Sequence, residues 1–232
     1  MKLKPMLKYC ISLFLVFAST LIFAQEKQDT TVVKSKIKYG LRVGIDLYNP
    51  LQTAITPEKK TYEIVADYRI THSLYIAAEL GTTDNLTKLD YMQFTTEGNY
   101  IKAGFDYSTY KNWKGMDNLI YFGARLGYST FNHTLNSYTI NSAPFFTETT
   151  ITTPKHYDNL TAKWFEIVFG LKAETFNNLF LGFSFRSKFL ISATEPENFK
   201  NLYIPGFNRV FLNNTGFGFN YTLSYLIPFK KK

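Results

Sequence analysis

From Ile37 onward the apolar residues return at every second position, the period of half-buried strands and not of helices. The segment Ile37 to Tyr48 sets Tyr39, Leu41, Val43, Ile45 and Leu47 against Lys38, Gly40, Arg42, Gly44 and Asp46. The same alternation runs through Tyr62–Ile70, Leu74–Gly81, Tyr100–Ser108, Leu119–Ser129, Lys163–Thr175, Leu179–Phe189 and Gly216–Phe229. In every segment one face is apolar and rich in aromatics, and the other carries glycine and charge.

The connections alternate too. Thr71-His72-Ser73 and Phe176-Asn177-Asn178 are tight, and the stretch around Trp113-Lys114-Gly115 is modest. Those near 49–61, 82–99, 130–162 and 190–215 are longer. The pattern predicts an all-β fold, an eight-stranded antiparallel up-and-down transmembrane β-barrel with short periplasmic turns and long extracellular loops. An even strand number puts both termini on the short-turn side. Thr134–Ile140 and Phe145–Thr152, across Asn141-Ser142-Ala143-Pro144, read as an extended hairpin, and ten strands result if it enters the sheet.

Period two alone does not say which face looks outward. A soluble lipocalin-like barrel turns its apolar face inward around a ligand. Here aromatics gather near strand ends, with Tyr39, Tyr68, Tyr107, Tyr225 and Phe229 at one end and Tyr128, Phe165, Phe189 and Phe217 at the other, the placement of interfacial girdles. The opposite face balances its charges, as a crowded lumen must. Facing lipid, the barrel would enclose an ion network of Arg42, Asp46, Glu63, Asp67, Arg69, Glu79, Lys102, Asp106, Arg125, Glu166, Lys172 and Arg186. Lys38, Lys188 and Glu174 share this face. Eight strands leave room only for side chains, so the network predicts a plugged, non-conducting lumen. Tyr75, Tyr121 and Phe180 are expected to gather at its periplasmic floor.

Residues 1–24 carry a leader signature: Lys2, Lys4 and Lys8, then the apolar run Ile11–Phe23, then Ala24 before Gln25 as the expected cut. Cys10, the one cysteine, lies inside this leader, so the mature chain has no disulfide or thiolate metal site. The organisation expected is 1–24 signal peptide, 25–36 periplasmic linker, 37–229 barrel and 230–232 basic tail. The formal charge of +8 falls to about +5 without the leader lysines. An exported chain of that balance is not expected to meet nucleic acid.

Segment 216–229, with Tyr221, Leu223 and Tyr225 at alternate positions and Phe229 at its end, resembles the C-terminal strand that outer-membrane assembly machinery recognises. Lys230, Lys231 and Lys232 follow the aromatic here, where that signal normally stops. With the loop asymmetry, residues 37–229 resemble the OmpA/OmpX-like small outer-membrane β-barrels, and within them an outer-membrane family of the Bacteroidota. The resemblance implies the outer membrane of a Gram-negative bacterium. It also implies outer-membrane lipid and lipopolysaccharide as surroundings, and the barrel-assembly machinery as a partner during biogenesis.

Chemistry is sparse. His72 lies in a tight turn; His133 and His156 lie in the connection 130–162, near Ser137, Ser142 and Asp158. His133, His156 and Asp158 are the weak candidates for a catalytic group, which would suit a lipid-modifying hydrolase or acyltransferase. No phosphate loop or metal-spaced motif appears, and no cofactor is expected. The long loops hold Tyr91, Phe94, Phe131, Tyr138, Phe145, Phe146, Tyr157, Phe199, Tyr203, Phe207 and Phe211. These serve either recognition or packing between strands that continue beyond the membrane. The reading favoured is a non-enzymatic barrel with a structural or surface-interaction role. The lipid-modifying enzyme and the soluble binder remain the alternatives.

Overall fold

The computed structural model describes residues 38–110, 117–140, 149–197 and 200–231. The leader, its cut at Ala24 and Gln25, the linker, the turn at Trp113-Lys114-Gly115, residues 141–148, Phe199 and Lys232 lie outside the described residues. Strands β1 (Lys38–Asp46), β2 (Lys59–Arg69), β3 (Leu74–Leu89), β4 (Met92–Ser108) and β5 (Leu119–Ile140) come first. After them come β6 (Thr149–Ile151), β7 (Lys155–Phe176), β8 (Leu179–Ala193), β9 (Tyr203–Ile204), β10 (Asn208–Arg209) and β11 (Thr215–Lys231). One helix, α1 (Tyr48–Ile55), follows β1. No helix among the described residues is long and apolar enough to cross a membrane.

Eight strands close a ring in the order β1, β2, β3, β4, β5, β7, β8, β11 and back to β1, each antiparallel to its neighbours. The short β6 pairs only with the far end of β5, through Tyr138–Ile140, so the ring stays at eight. Full closure leaves no open sheet edge where the ladders are complete.

The alternation fixes the faces, and they are inverted relative to a soluble protein. Val43, Ile64, Leu80, Phe105, Leu126 and Phe217 are 37–63% exposed, whereas Arg42, Glu79, Lys102, Arg125 and Glu166 are 0–4% exposed. Apolar side chains form an outward belt and charged ones fill the interior. The belt has an upper edge. Beyond Leu80, Ile101, Tyr128 and Phe165 the outward positions become Thr82, Asn99, Thr130 and Lys163, while the ladders simply continue.

The long connections are therefore largely built structure. β3 and β4 run on to a tight turn at Asp90-Tyr91, so 82–99 is a hairpin. β5 and β7 are 22 residues each, about twice the ~9–11 needed to span a bilayer. β1 has only 9 residues. The barrel thus has a tall wall of β3, β4, β5 and β7 and a low wall around β1.

The low wall has a local cause. Pro50 has no N–H to give to a ladder, but it is tolerated in a helix's first turn, where N–H groups have no partner anyway. Asp46 fixes that turn by accepting from Asn49 N (3.0 Å) and Asn49 Nδ2 (2.6 Å). The strand stops, and α1 begins.

Candidate functional site

The interior is one continuous ion network. Glu79 on β3 stands at its centre, accepting from Lys102 Nζ (2.9 Å), Arg186 Nη1 (2.5 Å) and Arg125 Nε (3.3 Å). Glu63 accepts from Lys102 Nζ (2.7 Å) and the Tyr100 hydroxyl (2.8 Å) on one oxygen and from Asn220 Nδ2 (2.7 Å) on the other. Glu166 takes Arg186 Nη1 (3.2 Å) and the indole N–H of Trp164 (2.7 Å). Toward the short-turn end, Asp67 holds Arg42 through two donors (2.8 and 3.0 Å) and Lys172 Nζ (2.6 Å). Asp106 faces Arg125 Nη2 at 2.8 Å and Lys172 Nζ at 3.9 Å, which ties the two layers together. Charges this deep persist only when compensated, and each of these carboxylates lies in an ion pair, Asp106 through charge alone, without a hydrogen bond to either oxygen.

All twelve residues expected to line the lumen point inward, Lys172 with its side chain 12% exposed and the others buried. Asp46 differs in partner: it bonds Asn49 and the Tyr221 N–H (3.1 Å) and carries no ion pair among the described residues. Lys188, on the same face, donates to the carbonyls of Gly206 (2.7 Å) and Phe207 (3.3 Å).

Side chains cluster inside the ring toward each end. At the short-turn end Tyr75, Leu119, Tyr121 and Val168 cluster, and Arg42 lies 4.6 Å over the Phe180 ring. Arg69 donates to the Tyr75 hydroxyl (2.5 Å) and pairs with Asp117 (3.3 Å). At the other end the connection between β8 and β11 turns back into the mouth as the β9–β10 hairpin. Ile204 and Phe207, both fully buried, pack on Tyr100, Phe131, Leu160, Ala162 and Trp164. Tyr203 packs on Phe94 and Leu135 of the tall wall. Phe94, Phe131, Tyr203 and Phe207 thus serve packing, while Tyr91 and Phe211 remain 56% and 44% exposed.

Two glycines make the hairpin fit. Gly206 has φ +78, and a Cβ there would lie 2.6 Å from the Tyr100 ring. A Cβ on Gly127 would lie 2.1 Å from the Trp164 indole. Trp164 was not singled out by sequence; its parity with Glu166 on β7, opposite Gly127, is the signal that places it inside.

The catalytic candidates are not brought together. His133 is fully buried on the inner face, bonded to Thr96 Oγ1 (2.8 Å) and Asn201 Oδ1 (3.1 Å) and flanked by the Phe94 and Phe131 rings. His156 pairs with Thr134 in the ladder and bonds its hydroxyl (3.0 Å) on the outer face, where Asp158 is also exposed. Adjacent strand positions point to opposite faces, so the sheet separates the histidines. Ser142 lies outside the described residues, and His72 is exposed in its turn. Among the described residues no group of three His, Cys, Asp or Glu could hold a metal. His133 sits above the belt, between outward Asn132 and Thr134; burial lowers its pKa to about 4.

Residues 6–232 match the model of a family described as a domain of unknown function, DUF6048. No curated protein matches the sequence. Among solved structures, Ail, the attachment invasion locus protein of Yersinia pestis, is similar at a TM-score of 0.41 and 6% identity. That likeness covers 83% of this chain and 98% of that one.

Proposed function

The chain belongs to the DUF6048 family, and we propose that it is an integral outer-membrane β-barrel with a plugged, non-conducting lumen. It acts as a structural or surface-interaction scaffold, not as an enzyme. The observation that carries this reading is the inverted alternation. An uninterrupted belt of half-exposed aliphatic and aromatic side chains encircles a ring whose charges are buried and paired. In water such a belt is a large aggregation-prone surface; in lipid it is the expected exterior. Where its ladders are complete, the ring also satisfies its backbone groups within the hydrocarbon. The short turns then face the periplasm, and the tall wall of β3, β4, β5 and β7 stands outside the cell in the lipopolysaccharide layer. That wall is the surface offered to partners.

The test is gel mobility with and without boiling after refolding in detergent. A compact, heat-modifiable band is expected; no shift overturns the membrane reading. The plug is tested separately in planar bilayers, where no steady conductance is expected and a large one refutes a closed lumen.

A further inference from the structure

The ring is closed low down but not at the height of the belt's upper edge. β1 ends at Asp46 opposite Thr222, and its last pair with β2 is Ile45 with Ile64. Above that level β11 from Gly216 to Asn220 pairs only with β8, and β2 from Lys59 to Glu63 pairs only with β3. Among the described residues no strand lies between them. A cavity of about 220 Å³ occupies this notch, walled by the start of α1, the inner hairpin and the two unpartnered strand edges.

Its lining is cationic and its surroundings are apolar. Lys59, Lys102, Lys188 and Arg209 line it against a single carboxylate, Glu63. Glu63 already has both oxygens occupied, and Asp46 below the notch is spent on Asn49 and Tyr221. Lys102 and Lys188 are committed to the interior. Lys59 is bonded only to the neutral Gln52 amide (2.9 Å), and Arg209 lies over the Phe211 ring at 5.3 Å with no ion pair among the described residues. Phe217 (53% exposed) on β11 lines the mouth of the notch, and exposed Leu51 and Ile55 (64% and 76%) on α1 and Leu212 (91%) follow in the segments that flank it. Half-buried Lys59 inside the notch and exposed Arg209 at its mouth, set beside this apolar surface, form an amphiphile's complement. The volume falls below the ~300–1,000 Å³ of a drug-sized site, so it suits a head group and not a whole lipid.

We infer that the notch is a lateral docking site for the phosphate-bearing head group of a membrane lipid, with Lys59 and Arg209 contacting the phosphate and the acyl chains lying along the belt. Basic recesses between spanning elements bind anionic head groups by this division of labour. The inference rests on the membrane reading above.

The barrel is refolded in detergent, shown to be heat-modifiable, and placed in nanodiscs of phosphatidylcholine with a minor fraction of phosphatidic acid. Native mass spectrometry then counts the lipids it retains. Preferential retention of phosphatidic acid is expected, falling about tenfold in Arg209→Gln and in Lys59→Gln. Lys60→Gln, which removes an exposed surface partner of Asp84, should change nothing. Equal retention of both lipids, or variants indistinguishable from the parent, overturns the site. Displacement of phosphatidic acid by inorganic phosphate at comparable concentration reassigns it to a soluble anion and also overturns lipid docking. A chain without the heat-modifiable band removes the membrane reading together with the site; one that passes but does not discriminate removes the site alone. Should either glutamine variant fail to refold, Arg209→Lys, which keeps the charge, must still prefer phosphatidic acid, and its failure to do so counts against the site.

Discussion

Glu79→Gln should be the most damaging isosteric change in the barrel. Glu79 is 3% exposed, and its two oxygens meet three cations from three other strands: Lys102 at 2.9 Å, Arg186 at 2.5 Å and Arg125 at 3.3 Å. At an effective dielectric near 20 each contact has a gross attraction on the order of 5 kcal/mol. Desolvation of four buried charges consumes most of it, so the intact network adds little net stability. Removing the central carboxylate is different. Lys102 keeps Glu63, Arg125 keeps Asp106 and Arg186 keeps Glu166, yet each becomes under-neutralised in a closed interior. Loss of one member of a buried pair costs about 3–5 kcal/mol, a large part of the ~5–15 kcal/mol typical of a domain. The assay is urea unfolding of the refolded barrel in micelles, followed by gel mobility. Glu79→Leu combined with Arg186→Leu restores the charge balance and should cost much less than Glu79→Gln. A Glu79→Gln barrel within ~1 kcal/mol of the parent refutes the reasoning, as does a double variant worse than the single one.

Gly206→Ala should loosen the inner hairpin without unfolding the barrel, because the added Cβ meets Tyr100 and the φ of +78 disfavours it. Faster proteolysis within 194–214 with an unchanged heat-modifiable band is the expected result, at a local cost of ~1–3 kcal/mol. His133 should make that hairpin's docking pH-dependent. Burial lowers its folded pKa to about 4, from about 6.5 for an ordinary imidazole, so the docked form binds fewer protons than the open one. Docking is therefore full above pH 6.5 and weakens as pH falls toward 4, by up to about 3 kcal/mol. Proteolysis of 194–214 compared at pH 7.5 and pH 4.5 reads this directly, and His133→Gln should remove the dependence.

The belt half of the barrel was legible because its outward face is apolar position after position while its inward face is charged. All eight alternating segments lie within or overlap the eight ring strands, and the inward parity of Glu79, Lys102 and Arg186 could be read off directly. The upper half carried no such mark. Once Thr82, Asn99 and Thr130 replace the outward aliphatics, both faces are mixed and the period-two signal fades, although the ladder Thr82 to Asn99 continues unbroken. What holds those strands is the hairpin packed inside them, and its contact between Phe207 and Trp164 joins residues with no periodic relation. His133 looked like loop chemistry for the same reason: nothing local says that Asn201 will arrive to bond it.

The notch turns on a smaller signal. The alternation from Ile37 runs through Leu47 to Tyr48, and an unbroken β1 of that register would extend alongside Tyr221 and toward Phe219. In the fold the Leu47 N–H still reaches the Tyr221 carbonyl (2.6 Å), so the ladder attempts one more step. It then fails at Asn49-Pro50, where a missing N–H and an Asp46 side chain ready to cap the turn both favour a helix. Without that proline, β1 would cover the β11 edge and close the notch that Lys59 and Arg209 line. The position of Pro50 therefore does more than end a strand: it leaves the ring open at its side, between β11 and β2.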